Sequence, residues 1–114
     1  MKESDIQKVI MDYLAAKGIF AIRMNSGAMF GSHKGKRWAV RFGLKGMADI
    51  LAFPYMDCDP GHCLRRAIWP TWIEVKNEKR EQTPEQEVFA SIVEREGHRY
   101  ILARSLDVVI AAGL

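Results

Sequence analysis

The chain has 114 residues, 48% hydrophobic and 27% charged. That balance excludes disordered and fibrous classes and suits one core, a single domain over residues 1–114. No apolar run approaches the roughly 20 residues of a membrane helix, and Glu3, Asp5 and Asp12 are out of place in a secretory leader. Cys58 and Cys63 lie too close together to brace a secreted domain, so reduced thiols in a cytoplasmic setting are expected.

The net charge of +3 hides an asymmetry. Residues 13–48 hold no Asp or Glu, yet they carry Lys17, Arg23, Lys34, Lys36, Arg37, Arg41 and Lys45. A one-sign stretch attracts polyanions unless acids from elsewhere fold over it, and phosphate contacts give nucleic-acid binders most of their affinity. Arg23, Lys34, Lys36, Arg37, Arg41 and Lys45 are therefore the expected nucleic-acid contacts; the plainer reading is a solubilising hairpin. Glu78, Glu81, Glu85, Glu87, Glu94 and Glu96 gather later, as on the solvated face of a helix.

In chain order, Ile6, Val9, Ile10, Tyr13 and Leu14 form the stripe of an amphipathic helix that Gly18 stops. Residues 19–24 are short and apolar, a strand. Residues 28–30 and 38–42 flank a turn over 31–35, which predicts a hairpin. A loop at 43–46 leads to a strand at 49–53. Residues 54–70 read as a loop or hairpin tip, and 72–76 as a further strand. Thr83-Pro84-Glu85-Gln86 announces a helix, with Thr as N-cap, Pro at the first position and Gln three residues after the cap. Val88, Phe89, Ile92 and Val93 are its expected buried face, and Gly97 its end. A strand at 99–103 and a helix at 105–111, capped by Ser105, complete the chain. Two strands linked by a helix make a βαβ-like unit, so the expected class is α/β, a mixed central sheet flanked by helices. Ile22, Ile50, Ala52, Ile73, Val75 and Ile101 are the expected sheet core.

Within this frame, three acids and a lysine carry chemistry. Asp49 opens a strand after Gly46-Met47-Ala48. Glu74 and Lys76 share one face of the next strand, because side chains alternate, and Val75 points the other way. Carboxylates on neighbouring strands can share a hard divalent cation, which acts as a Lewis acid on a phosphoryl oxygen and lowers the pKa of water. Ile73 and Val75 make this an interior strand, where charge needs a reason. Glu3, one turn before Ile6, falls on the buried stripe; the alternative has Ser4 capping the helix with Gln7 as its capping-box partner.

On these residues the sequence resembles the PD-(D/E)XK nuclease superfamily and, within it, the virus-type replication-repair nuclease (VRR-NUC) family. Glu3 with Gln7 on the first helix, Gly46-Met47-Ala48-Asp49, Glu74-Val75-Lys76 and the Gln86 helix carry the resemblance, which runs along nearly the whole chain. Gly46-x-x-Asp49 stands in place of Pro-Asp. The resemblance implies a PD-(D/E)XK nuclease-like fold and a structure-selective DNA endonuclease that hydrolyses phosphodiester bonds with Mg²⁺, Mn²⁺ substituting. It implies Asp49, Glu74 and the Val75 carbonyl as metal ligands, and Lys76 as the group that positions or activates the attacking water. Glu3 would be a ligand or orient that water. Gln86 would lie near the site, although the N3 capping position accounts for it equally well; Gln82 is a further candidate. It also implies a homodimer acting on branched DNA such as Holliday junctions, of bacterial or phage origin, with no organic cofactor and no membrane. The alternatives are a non-catalytic DNA-binding module whose acids form structural ion pairs, or a nuclease for flap or duplex DNA.

Residues 57–66 extend the connection between the two acidic strands. Cys58, His62 and Cys63 supply three soft ligands where a structural zinc wants four, with His33 or His98 needed to complete the set. A turn tip with two reduced thiols is the reading preferred, with Arg65 and Arg66 extending the DNA surface. Trp38, Trp69 and Trp72 can stack on bases, although packing or a dimer contact would account for at least two of them.

Overall fold

A computed structural model of the chain describes residues 1–24, 28–41, 44–56 and 67–114. Helix α1 spans Glu3–Ala16 and buries Ile6, Ile10 and Leu14 along one stripe. Val9 lies off that stripe and is exposed, while Tyr13 is half-buried and donates its hydroxyl to the Leu114 carbonyl at 2.7 Å. The helix begins at Glu3 itself with Lys2 at the N-cap position and no side-chain cap. Ser4 is thus helical rather than a cap, and Gln7 instead accepts from Arg23 at 2.8 Å.

Strand β1 (Ala21–Arg23) leads to a hairpin of β2 (Ala28–His33) and β3 (Lys36–Arg41). Its arms are longer and its turn tighter than expected, because Lys34 and Gly35 both take positive φ and close the turn in two residues. Then come β4 (Ile50–Ala52), β5 (Thr71–Val75), helix α2 (Pro84–Arg95), β6 (Arg99–Ala103) and helix α3 (Leu106–Ala111). Ser105 stands at the N-cap of α3 as expected, yet its side chain makes no capping bond. The connection from β4 to β5 starts and ends as a hairpin would, with Tyr55 bridged to Ile68 and Trp69 N–H donating to the Pro54 carbonyl. Cys58, His62, Cys63, Arg65 and Arg66 lie outside the described residues.

The main sheet runs β1-β4-β5-β6, antiparallel except for the parallel β5–β6 pair that α2 links. The architecture is therefore α/β with a mixed sheet, and the hairpin forms a second, two-stranded sheet of its own. The molecule measures 64 × 31 × 28 Å. No helix among the described residues is long and apolar enough to cross a membrane.

The pleat divides the core in two. Ile50, Ala52, Ile73, Val75, Ile101 and Ala103 face α1 and α3 and pack with Ile6, Ile10, Leu14 and Val109. On the other face Met47 and Ala48 pack with Phe89 and Val93 of α2, beside Trp72 and Tyr100. Trp72 and Phe89 meet edge to face, with centroids 5.0 Å apart. Two expectations fail here. Ile22 is 41% exposed, because it falls on the α2 side of β1, where α2 packs over β6 and does not reach. Val88 and Ile92 are also exposed; each sits one residue, about 100° of helical turn, before the inward-facing Phe89 and Val93.

Candidate active site at the open end of strands β4 and β5

The β4–β5 ladder pairs Ile50 with Ile73 and continues away from the site. At Asp49 the two strands part. The Asp49 main chain stays with the β1 side, where its carbonyl accepts from Met24 N–H at 2.7 Å. Its carboxylate turns to β5 and accepts from Val75 N–H at 2.8 Å. A side chain has replaced the ladder acceptor. Because a strand residue's N–H and C=O leave the chain on the same side, the Val75 carbonyl faces the same gap.

Glu74 projects from the α2 face of β5 and is only 2% exposed. Its Oε1 accepts from Gln86 Nε2 at 2.9 Å and lies 3.9 Å from Lys76 Nζ. Its Oε2 is buried and has no hydrogen-bond partner among the described residues. The Asp49 carboxyl is the neighbour that interacts with the Glu74 carboxyl. Two carboxylates are both acceptors, so they can meet only if one keeps a proton or a cation lies between them. The electrostatics agree. Burial, then the negative charge of Asp49, pushes the Glu74 carboxyl up to about 8, with Lys76 opposing. Burial raises Asp49 too, against the Val75 N–H bond.

Lys76 is 3% exposed, so both charges of the Glu74-x-Lys76 pair are inside the protein. The surface ion pair that this spacing usually makes is not what the fold contains. Gln86 has two partners. Its Oε1 accepts from Thr83 N–H at 2.9 Å while Thr83 Oγ1 accepts from Gln86 N–H at 3.2 Å, a complete capping box. With the carbonyl end engaged by a donor, the NH₂ end is the one turned toward Glu74. Gln86 thus makes both contacts, the capping box and the bond to Glu74.

Gly46 makes this approach possible. Its φ is +84°, and a Cβ there would run into the Glu85 carbonyl group and lie 2.9 Å from Gln86 N. The loop before Asp49 therefore rests on the first turn of α2. Lys45 adds an ion pair to Glu85 at 3.2 Å, on an exposed edge.

Glu3 stands one step away. Its Oε1 accepts from Asn77 N–H at 3.4 Å and its Oε2 is 3.7 Å from Arg80. Its charge raises both Asp49 and Glu74. Among the described residues no three His, Cys, Asp or Glu side chains stand close enough to share a metal ion. Two carboxylates and a carbonyl are what the described residues offer here, an all-oxygen set suited to Mg²⁺, which keeps several waters and takes one or two protein carboxylates. The orphaned Oε2 of Glu74, on a carboxyl that interacts with Asp49, fits such a hard cation.

Of the expected basic contacts, Lys45 is paired with Glu85, and Arg23 is bonded to the neutral Gln7. Lys34, Lys36 and Arg37 are exposed on the hairpin, and Arg41 ends β3 opposite Ala28. The structure does not bring Lys34, Lys36 or Arg37 into the carboxylate cluster.

Two residues near the site escaped sequence reasoning. Arg104 donates to the carbonyls of Asn77 at 2.6 Å and Arg80 at 2.8 Å, and pairs with Glu81 at 3.1 Å. It holds the loop that presents Asn77 N–H to Glu3. Tyr100 accepts from Gln82 Nε2 at 2.8 Å, and burial together with the Glu74 charge raises its phenol well above the ordinary range. Only the position of Tyr100 opposite Trp72 on a parallel neighbour strand hints at either residue. The chain matches no family model, no curated protein and no solved structure.

Proposed function

We propose that the chain is a divalent-metal-dependent DNA endonuclease of the PD-(D/E)XK type, similar to the VRR-NUC family, with branched DNA as its substrate. One observation carries the reading: the Glu74 carboxyl, whose buried Oε2 has no hydrogen-bond partner among the described residues, interacts with the Asp49 carboxyl at the point where β4 and β5 part. A fold that buries Glu74 beside a half-buried Asp49, with both pKa values raised, has placed them there at a cost that a bound cation offsets.

Asp49, Glu74 and the Val75 carbonyl would hold Mg²⁺ or Mn²⁺. The cation, when bound, polarises the phosphoryl oxygen and lowers the pKa of the attacking water. The remaining work belongs to the chain. Gln86 fixes Glu74 by its amide, so the carboxylate does not need to reorganise. The buried Lys76 ammonium donates toward the attacking water or a non-bridging oxygen and offsets the charge that builds up there. Hydrolysis adds water across the P–O bond, and the leaving oxygen takes up a proton. Glu3 orients the same end of the site through Asn77. The hairpin cations would hold the phosphates of the arms. A single site per chain, and two strands to cut at a junction, make a two-fold homodimer the working unit.

The deciding experiment is a cleavage panel of four-way junction, flap, splayed arm and plain duplex, each with Mg²⁺, Mn²⁺ or EDTA. Cutting that needs the metal and favours the junction supports the reading. Tight DNA binding with no cutting in either metal would replace it with a non-catalytic DNA-binding module. Light scattering that finds only a monomer, still cutting both junction strands in one encounter, would remove the dimer.

A further inference from the structure

The three tryptophans divide sharply. Trp69 donates Nε1 to the Gly97 carbonyl at 3.0 Å and lies 4.7 Å below the Arg99 guanidinium. Trp72 donates to His98 Nδ1 at 3.0 Å and packs against Phe89. Both are committed to the body of the protein. Trp38 is on β3 of the hairpin and is 40% exposed. Its register partner is Gly31, and a Cβ at that position would collide with the indole and sit 2.9 Å from Nε1. The ring therefore lies across bare backbone, spread flat on the hairpin. Lys36, opposite His33, shares that face by the alternation of the strand; Arg37, opposite Ser32, takes the other. Lys34 stands at the turn.

We infer that Trp38 is a stacking platform for an unpaired nucleobase, with Lys34 and Lys36 neutralising the phosphates on either side. An exposed aromatic ring among cations, in a stretch of chain without a single acid, has the two features that single-stranded nucleic acid recognises: a π-face for the base and positive charge for the backbone. Bases in a duplex present only their edges, so the platform selects strands that are open, as at a branch point or an end. This rests on the proposed DNA reading but not on its chemistry, because the hairpin is separate from the carboxylate cluster.

The test is fluorescence anisotropy of the full chain in EDTA with labelled oligothymidylate and a blunt duplex, across a salt series. Phosphatidylserine vesicles form a third arm. Trp38→Ala is expected to weaken oligothymidylate binding by a factor on the order of 10 while duplex binding changes less than about twofold. Trp38→Phe, which keeps a ring, should retain most of the affinity and serves as the folding control. Replacing Lys34 and Lys36 with alanine should flatten the salt slope on oligothymidylate by about 0.7 for each phosphate that is no longer neutralised; Trp38→Ala should leave it unchanged. Equal binding of Trp38→Ala and wild type to oligothymidylate, or an equal loss on both DNA forms, overturns the platform and leaves the nuclease reading standing. Vesicle binding that depends on Trp38, without oligothymidylate binding, overturns it in favour of a membrane surface. No binding of the wild type to any DNA, in EDTA or with metal, overturns both readings.

Discussion

Gln86 donates its side-chain NH₂ to Glu74 Oε1 at 2.9 Å from the first turn of α2, twelve residues further along the chain. The same amide closes the capping box with Thr83. The start of one helix thereby sets the orientation of a buried acid on the neighbouring strand, and a local signal for helix initiation becomes part of a site.

Two substitutions separate these roles. Gln86→Ala should cost about 1 kcal/mol of stability through the lost cap and reduce cleavage as well. Gln86→Glu keeps a capping-box acceptor at N3 but places another carboxyl against Glu74. Its melting temperature should match wild type in acid, where a protonated carboxyl can still donate, and fall below it in alkali. Thermal melts at the two extremes of pH check this; a Gln86→Glu variant as stable and as active as wild type at high pH would show that the bond to Glu74 has no function.

Asp49→Asn and Glu74→Gln should abolish cleavage and leave DNA binding intact or tighter, since repulsion of phosphate is relieved. The asparagine side chain retains an oxygen that can accept from Val75 N–H, so the strand junction survives. Junction cleavage by either variant near the wild-type rate would contradict the assignment.

The pH dependence of stability has a definite sign. The Glu74 carboxyl titrates near 4.5 in an unfolded chain and is pushed up to about 8 in the fold, chiefly by burial. Between those values the folded protein holds the proton more tightly than the unfolded one, so the stabilisation present in full below pH 4.5 is lost as pH rises through 8. Asp49 shifts in the same direction. Melts in EDTA should decline across that window, Glu74→Gln should flatten the decline, and Mg²⁺ should raise the melting temperature more at the alkaline end, where it no longer competes with a proton.

Lys76→Ala should lower turnover by a factor on the order of 10² to 10⁴ while metal affinity, read by calorimetry, changes much less. Weakened metal binding, with turnover near wild type once metal is saturating, would make the lysine purely structural.

Gly46→Ala should destabilise the fold by about 1–3 kcal/mol, because φ of +84° is unfavourable for alanine and the new Cβ meets the Glu85 backbone. Any cleavage that remains should be reduced, since the shift moves α2 and Gln86 with it. Denaturant melts of Gly46→Ala beside Gly35→Ala provide the comparison: Gly35 also has positive φ but nothing within 4 Å of its Cβ position.

The amino-acid order alone determined the helices, their glycine stops, the capping box at Thr83, the α/β class and the strand that carries Glu74, with Lys76 one residue past its end. These depend on periods and caps that span a few residues, where the chain's own connectivity brings the groups together. It also singled out Asp49, but not how Asp49 is used. The bond from Val75 N–H to the Asp49 carboxylate joins residues 26 apart, and it exists because β4 and β5 pair and then separate. In the same way the exposure of Ile22, Val88 and Ile92 follows from where α2 lies on the sheet. Tyr100 and Arg104 acquire their partners only because β6 runs parallel to β5 and brings them beside residues 74–82. Burial and long-range pairing are properties of strand order and helix placement, which no short window of sequence contains; those decided that a buried Glu74 and a half-buried Asp49 come together in this chain.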